Sequence, residues 1–229
     1  MIVKNFLKQF NIEVNSLDYY NEALTHNSYS NEHRLTKNYQ RLEFLGDAIL
    51  QMRVSEVLFK KYPKSNEGIL TKYRSSIVRK ETLAKFAQKI GLGQFIRLGV
   101  GELESKGYEK DSILSDVYES ITAAIYLDAG AQALENWLNG TIFKDENTEI
   151  FLESIIDYKS ELQELIQIEM RNELSYITVS QEKIEDNKTL FTVHCTLDGM
   201  VYGIGTGYNK KQAEQMSAKN ALSKIKKVQ

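Results

Sequence analysis

Between Leu42 and Met52 nearly every position is apolar, yet the run holds two acids, Glu43 and Asp47. At i and i+4 they fall one turn apart on one helical face. A second apolar run, Ile113 to Leu127, repeats the pattern: its charges are Asp116 and Glu119, at i and i+3. Removing an unpaired carboxylate from water costs several kcal/mol, so each acid needs a partner. Neither run supplies a base, and four acids brought together repel one another unless a cation lies among them. Hard oxygen donors of this kind suit Mg²⁺ or Mn²⁺ rather than zinc. The same residues also allow a plainer reading, in which each acid pairs with a distant base such as Arg41 or Lys72. The residues alone leave both readings open, and neither names a reaction.

Those two runs must be long helices. Apolar spacing of helical period predicts helices over 16–25, 39–60, 66–76, 79–90, 111–129 and 131–140, with Gly91, Gly130 and Gly140 where C-cap glycines would stand. The 42–52 run is apolar around nearly its whole circumference, which predicts burial on most sides. Gly46 lowers helix propensity there by about 1 kcal/mol relative to alanine, a cost expected where something approaches the backbone closely. The acidic stretch 144–156 reads as a linker. Beyond it, a helix at 158–170 precedes three segments rich in Thr, Val, Ile, Phe and Tyr at 174–181, 189–196 and 200–206, and a last helix at 210–226. Asp198-Gly199 is a two-residue hairpin signal. The chain is therefore α+β and multidomain, with an all-helical domain over 1–152 and a small α-β-β-β-α domain over 157–227.

Composition sets the outer bounds. Hydrophobic residues at 42% and charged ones at 26% belong to a globular chain, not a disordered one. The single cysteine, Cys195, excludes an intramolecular disulfide and fits a reducing compartment. Met1 to Phe10 lacks the apolar stretch of a signal peptide, and no later run is long enough to span a bilayer. A cytoplasmic protein with no membrane partner is expected. Net charge is −2, but from Gly205 onward six lysines (Lys210, Lys211, Lys219, Lys224, Lys226, Lys227) face one acid, Glu214. Such an excess is either a solvated tail or the electrostatic footprint of a phosphate-binding surface.

The run Arg41-Leu42-Glu43-Phe44-Leu45-Gly46-Asp47 resembles the signature of the ribonuclease III family. Leu24-Thr25-His26-Asn27-Ser28-Tyr29, Glu67-Gly68-Ile69-Leu70-Thr71-Lys72 and Ser112-Ile113-Leu114-Ser115-Asp116-Val117-Tyr118-Glu119 resemble three further family segments. The tail is similar to a double-stranded-RNA-binding domain. It opens at Asp157-Tyr158-Lys159-Ser160-Glu161-Leu162-Gln163-Glu164, and Gly205 to Glu214 matches its last strand, loop and lysine-headed helix. The resemblance implies a metal-dependent endoribonuclease, active as a homodimer, that cuts both strands of double-stranded RNA and leaves 5′-phosphate and 3′-hydroxyl ends during RNA processing and decay. By position it makes Glu43, Asp47, Asp116 and Glu119 the catalytic metal ligands, for Mg²⁺ or its substitute Mn²⁺. It places Phe44 at the subunit interface, Gln163 and Glu164 at the RNA minor groove, and Lys210 and Lys211 on phosphates. Lys72 and Arg74 are candidates for RNA contact from the catalytic domain.

Three positions depart from the family pattern. Gln40 stands where a further glutamate is usual; a neutral amide brings no charge to the outer part of the site, though it can still hydrogen-bond a water. In the loop that enters the minor groove in this family, Asn187 stands where histidine is typical and is the expected RNA contact there, beside Glu185 and Asp186, which would oppose phosphates. Asn209 replaces a serine, a mild change because both residues cap helices. Weaker RNA binding by the second domain is expected. Two other classes share part of the pattern: an RNA-binding protein of this fold without catalysis, and a helical phosphohydrolase of small nucleotides. The four filled acid positions count against the first, the RNA-binding tail against the second.

Overall fold

In the computed structural model, residues 2–35, 37–63, 65–143, 157–169, 173–184 and 188–228 are described. The expected linker at 144–156 and the expected groove contact Asn187, with its neighbours Glu185 and Asp186, lie outside them. The chain divides into two compact units, Met1–Ile155 and Ile156–Gln229. Among the described residues no helix is long and apolar enough to cross a membrane.

The described part of the first unit is helical. Its helices are α1 (Ile2–Lys8), α2 (Asp18–Ala23), α3 (Asn27–Glu32), α4 (Gln40–Lys61), α5 (Glu67–Val78), α6 (Lys80–Lys89), α7 (Val100–Glu104) and α8 (Asp111–Gly140). Helix α8 is the spine, with α2, α4 and α6 packed on it. Its near-continuous apolar sequence is explained by that position: Val117, Tyr118, Ala123, Ala124 and Ile125 are inaccessible to solvent. The helix bends at Gly130, whose φ of 80° and ψ of −170° break the helical path where the sequence predicts a boundary. Gly91, at φ 68°, is a left-handed cap after α6. Gly140 is not such a cap; it ends α8 in helical conformation, and its missing side chain makes room for the Phe10 ring.

Helix α1 is absent from the sequence expectations because seven residues are too few to show a period. It is nonetheless anchored in the core through Phe6 and Leu7, and the Phe6 and Phe10 rings pack toward Trp137. Helix α4 also differs from expectation. It buries Leu42, Ile49, Leu50, Val54 and Leu58, but Phe44, Met52 and Phe59 are 81%, 58% and 71% exposed. The apolar circumference read from the sequence is only partly used by this chain's own core.

In the second unit, α9 (Tyr158–Glu169) precedes β1 (Leu174–Lys183), β2 (Thr189–Leu197) and β3 (Met200–Gly207), and α10 (Lys210–Val228) closes it. The strands form an antiparallel sheet in the order β1-β2-β3. Asp198 and Gly199 take positive φ, 48° and 78°, in the two-residue turn that pairs Leu197 with Met200. Leu162 and Ile166 of α9, Cys195 and Leu197 of β2, and Ala218, Ala221, Leu222 and Ile225 of α10 form the core. Helix α10 lies close on β3 because Gly203 and Gly205 face it: a Cβ on either would collide with helix backbone at Ser217.

Candidate active site

Helix α4 starts directly after Tyr39, whose backbone carbonyl accepts the Glu43 N–H at 2.8 Å. From that end Glu43 faces α8, which presents Asp116 and Glu119 one turn apart. Glu43, Asp116 and Glu119 each offer an oxygen, and the three oxygens lie within 4.8 Å of one another. Asp47 lies one turn further along α4, outside this group of three. Both its oxygens accept from the amide of Gln51, at 3.1 and 3.0 Å.

The electrostatics follow from burial without a counterion. Glu43 is pushed up to about 6, by desolvation first and then by the charges of Asp116 and Asp47. Glu119 is pushed up to about 8, again by desolvation first, then by Asp47, Asp116 and Glu43. Among the described residues, the groups that shift these two carboxyls are other acids, not Arg41 or Lys72. Asp116 is held by neutral donors: Tyr39 Oη at 3.0 Å and, more weakly, Ser115 Oγ at 3.3 Å. Burial, then the neighbouring Asp116 charge, raises the Tyr39 phenol far above its usual range, so it remains a donor. The donor set is all hard oxygen and crowded, which is the chemistry a divalent cation satisfies.

Tyr39 and Gln51 were not foreseen from the sequence. Gln51 is legible in hindsight, at i+4 from Asp47 on one helix. Tyr39 meets Asp116 across 77 residues of chain, and no local pattern announces that.

The other expected residues are spread over the surface. Gln40, the first residue of α4, is exposed. Phe44 is exposed and contributes nothing to this chain's core. Lys72 is exposed on α5, and Arg74 is half-buried with Nη1 donating to Ser55 Oγ at 3.2 Å. In the second unit Gln163 is exposed and Glu164 half-buried on α9. Lys210 and Lys211 are exposed in the first turn of α10. Asn209 caps that helix by accepting the Gln212 N–H at 2.8 Å. Lys159 and Glu214 tie α9 to α10 at 2.6 Å.

Carboxylates converging from two helices make a candidate divalent-metal centre, in a chain whose second unit has α-β-β-β-α order and lysines heading its last helix. Residues 18–146 match the family model Ribonuclease-III-like, and residues 158–225 match the Double-stranded RNA binding motif. Ribonuclease 3 of Mesoplasma florum is 54% identical over 228 residues, 99% of either chain. Ribonuclease 3 of Spiroplasma citri is 45% identical over 224 residues, 97% of this chain and 90% of that one. A solved nuclease domain of ribonuclease III from Campylobacter jejuni aligns with a TM-score of 0.56 at 39% identity, covering 60% of this chain and 94% of that one. That structure is described as flexible in a region involved in dimer formation. The chain belongs to the ribonuclease III family.

Proposed function

We propose that this endoribonuclease hydrolyses phosphodiesters in both strands of double-stranded RNA at the centre formed by Glu43, Asp116 and Glu119, with Asp47 as a fourth ligand, and that its working cation is Mg²⁺. The observation that carries the reading is the convergence of three carboxylate oxygens, from Glu43, Asp116 and Glu119, within 4.8 Å of one another. Mn²⁺, of similar preference for oxygen donors, is the expected substitute. When bound, the cation supplies Lewis-acid stabilisation of charge on phosphate oxygens and acidifies water. The protein's own contribution is positional: two packed helices hold the acids, and Tyr39 and Gln51 orient two of them. Products carry 5′-phosphate and 3′-hydroxyl ends.

The division of labour follows the two units. Residues 1–152 carry catalysis and 157–227 bind RNA. Such a binding domain spans about 16 bp and reads A-form shape rather than sequence. Gln163 and Glu164 on α9 face the minor groove, with Asn187 as a further contact. Lys210 and Lys211 meet phosphates, helped by the positive potential of the α10 N-terminus. Lys72 and Arg74 add contacts from the first unit. The active species is a homodimer, one centre per strand, with exposed Phe44 entering the partner subunit. The enzyme acts in the cytoplasm in processing and decay of ribosomal and messenger RNA.

The test is to incubate the purified protein with a long RNA duplex, with Mg²⁺ and with a chelator, and to size the products and label their ends. Short double-stranded products with 5′-phosphates, formed only with the metal, are expected. Cleavage that survives the chelator would overturn the reading.

A further inference from the structure

The segment Leu24 to Tyr29 supplies no ligand to the acidic centre, yet its surroundings converge there. Leu24 and His26 pair through their backbones with Arg97: the Arg97 N–H donates to the Leu24 carbonyl at 2.8 Å and the His26 N–H to the Arg97 carbonyl at 3.0 Å. Thr25, between them, accepts the Tyr39 N–H on its carbonyl at 2.9 Å. The His26 ring packs against the Tyr39 ring with centroids 5.6 Å apart. His26 is itself fixed, since its Nδ1 accepts the Ser28 N–H at 3.2 Å and lies 2.7 Å from Ser28 Oγ. Ser28 Oγ in turn accepts the Gly99 N–H at 2.9 Å. Tyr39 is thus held by backbone on one side and by ring contact on another, and is 5% exposed.

What the braced residue does is join the two acid-bearing helices. Its carbonyl receives the Glu43 N–H of α4 and its hydroxyl donates to Asp116 of α8, so one side chain and one peptide unit tie an acid on each helix. Asp116 needs such a tie. It sits beside Glu43 and Glu119, and among the described residues it makes no salt bridge; the Ser115 hydroxyl, 3.3 Å away, lies closer to the Ser112 carbonyl, at 2.9 Å. A carboxylate oxygen has two lone pairs, so accepting the phenol hydrogen leaves capacity for a cation.

We infer that Tyr39, braced by Thr25, His26 and Ser28, is a positioning residue that holds Asp116 in its metal-binding orientation. The inference rests on the reading of Glu43, Asp116 and Glu119 as a cation site. Hydrogen-bond partners of metal ligands commonly change metal affinity by about 10–100-fold when removed.

The experiment measures Mn²⁺ binding to the full-length protein without RNA, by electron paramagnetic resonance, for the parent, Tyr39→Phe, Ser28→Ala and Asp116→Asn. Tyr39→Phe keeps the ring and deletes only the donor. It is expected to weaken Mn²⁺ binding by on the order of tenfold. Cleavage by this variant is expected to need correspondingly more Mg²⁺ yet to approach the parent rate at saturation, with duplex retention in a gel shift unchanged. A general structural defect would instead lower the rate at every Mg²⁺ concentration. Ser28→Ala keeps the phenol but loosens the brace, and a smaller loss is expected; it decides the matter if Tyr39→Phe does not fold. Parent-like Mn²⁺ affinity in Tyr39→Phe, with binding lost in Asp116→Asn, overturns the role of Tyr39. Parent-like affinity in Asp116→Asn as well overturns the cation site itself.

Discussion

Gly46 of α4 lies directly against the backbone carbonyl of Glu119 on α8, so close that a Cβ at position 46 would overlap it. The residue that the helix tolerates least by propensity is therefore the one that lets the two acid-bearing helices approach. Gly46→Ala gains helix propensity, worth about 1 kcal/mol, but must separate α4 from α8. Overpacking of this kind typically costs about 1–3 kcal/mol. The expected result is a net loss of stability in urea denaturation and a loss of cleavage larger than the stability change explains. An active, more stable Gly46→Ala protein would contradict the close-packing argument.

Glu119 is half-buried among three other acids. Glu119→Gln keeps the shape and removes a carboxyl that, above its unfolded pKa, must either take up a proton on folding or hold a charge among these acids. In metal-free buffer the variant is expected to melt a few degrees above the parent, where roughly 2–4 °C corresponds to 1 kcal/mol for a chain of this size. Cleavage should be abolished while duplex RNA is still retained in a gel shift, because affinity rests mainly on phosphate contacts elsewhere. Adding Mg²⁺ should raise the melting temperature of the parent by binding the folded state, and do so much less in the variant. Differential scanning calorimetry with and without Mg²⁺ checks all but the cleavage.

Gln40 occupies the exposed first position of α4, one turn ahead of Glu43. Gln40→Glu adds a carboxylate one turn from Glu43 on the same helix. The Mg²⁺ concentration for half-maximal cleavage is expected to fall severalfold with the saturated rate little changed. A superimposable Mg²⁺ titration would mark the position as a spectator.

Lys210 and Lys211 stand exposed where the N-terminus of α10 adds its own positive potential. Replacing both by alanine should weaken binding to all duplex sequences alike and reduce the slope of log affinity against log salt by about 1–2. A chain ending near Glu153 keeps every proposed metal ligand. It should cut duplex RNA at low salt, where attraction is least screened, and lose activity steeply as salt rises. Cleavage rate against salt for the full and shortened chains is the measurement, and parallel curves would remove the second unit as the RNA anchor.

Much of this architecture is written locally and was legible without coordinates. Helix α4 runs over Gln40–Lys61 where period predicts 39–60, and the hairpin turns at Asp198-Gly199, because periodicity and turn chemistry act over a few residues. The four acids stood out for the same reason, as charges without partners in apolar runs. The sequence could not tell a cation site from four separate ion pairs. That choice depends on what faces each acid across the fold, and only the packing of α4 on α8 brings Glu43 to Asp116 and Glu119. The same holds for Tyr39, an ordinary aromatic by its neighbours in the chain, whose hydroxyl finds Asp116 on another helix. Phe44, too, lies in a run whose apolar pattern predicts burial on most sides, and its place on the helix surface leaves it exposed. Short-range physics selects the elements; which side chains meet is a property of how the elements pack.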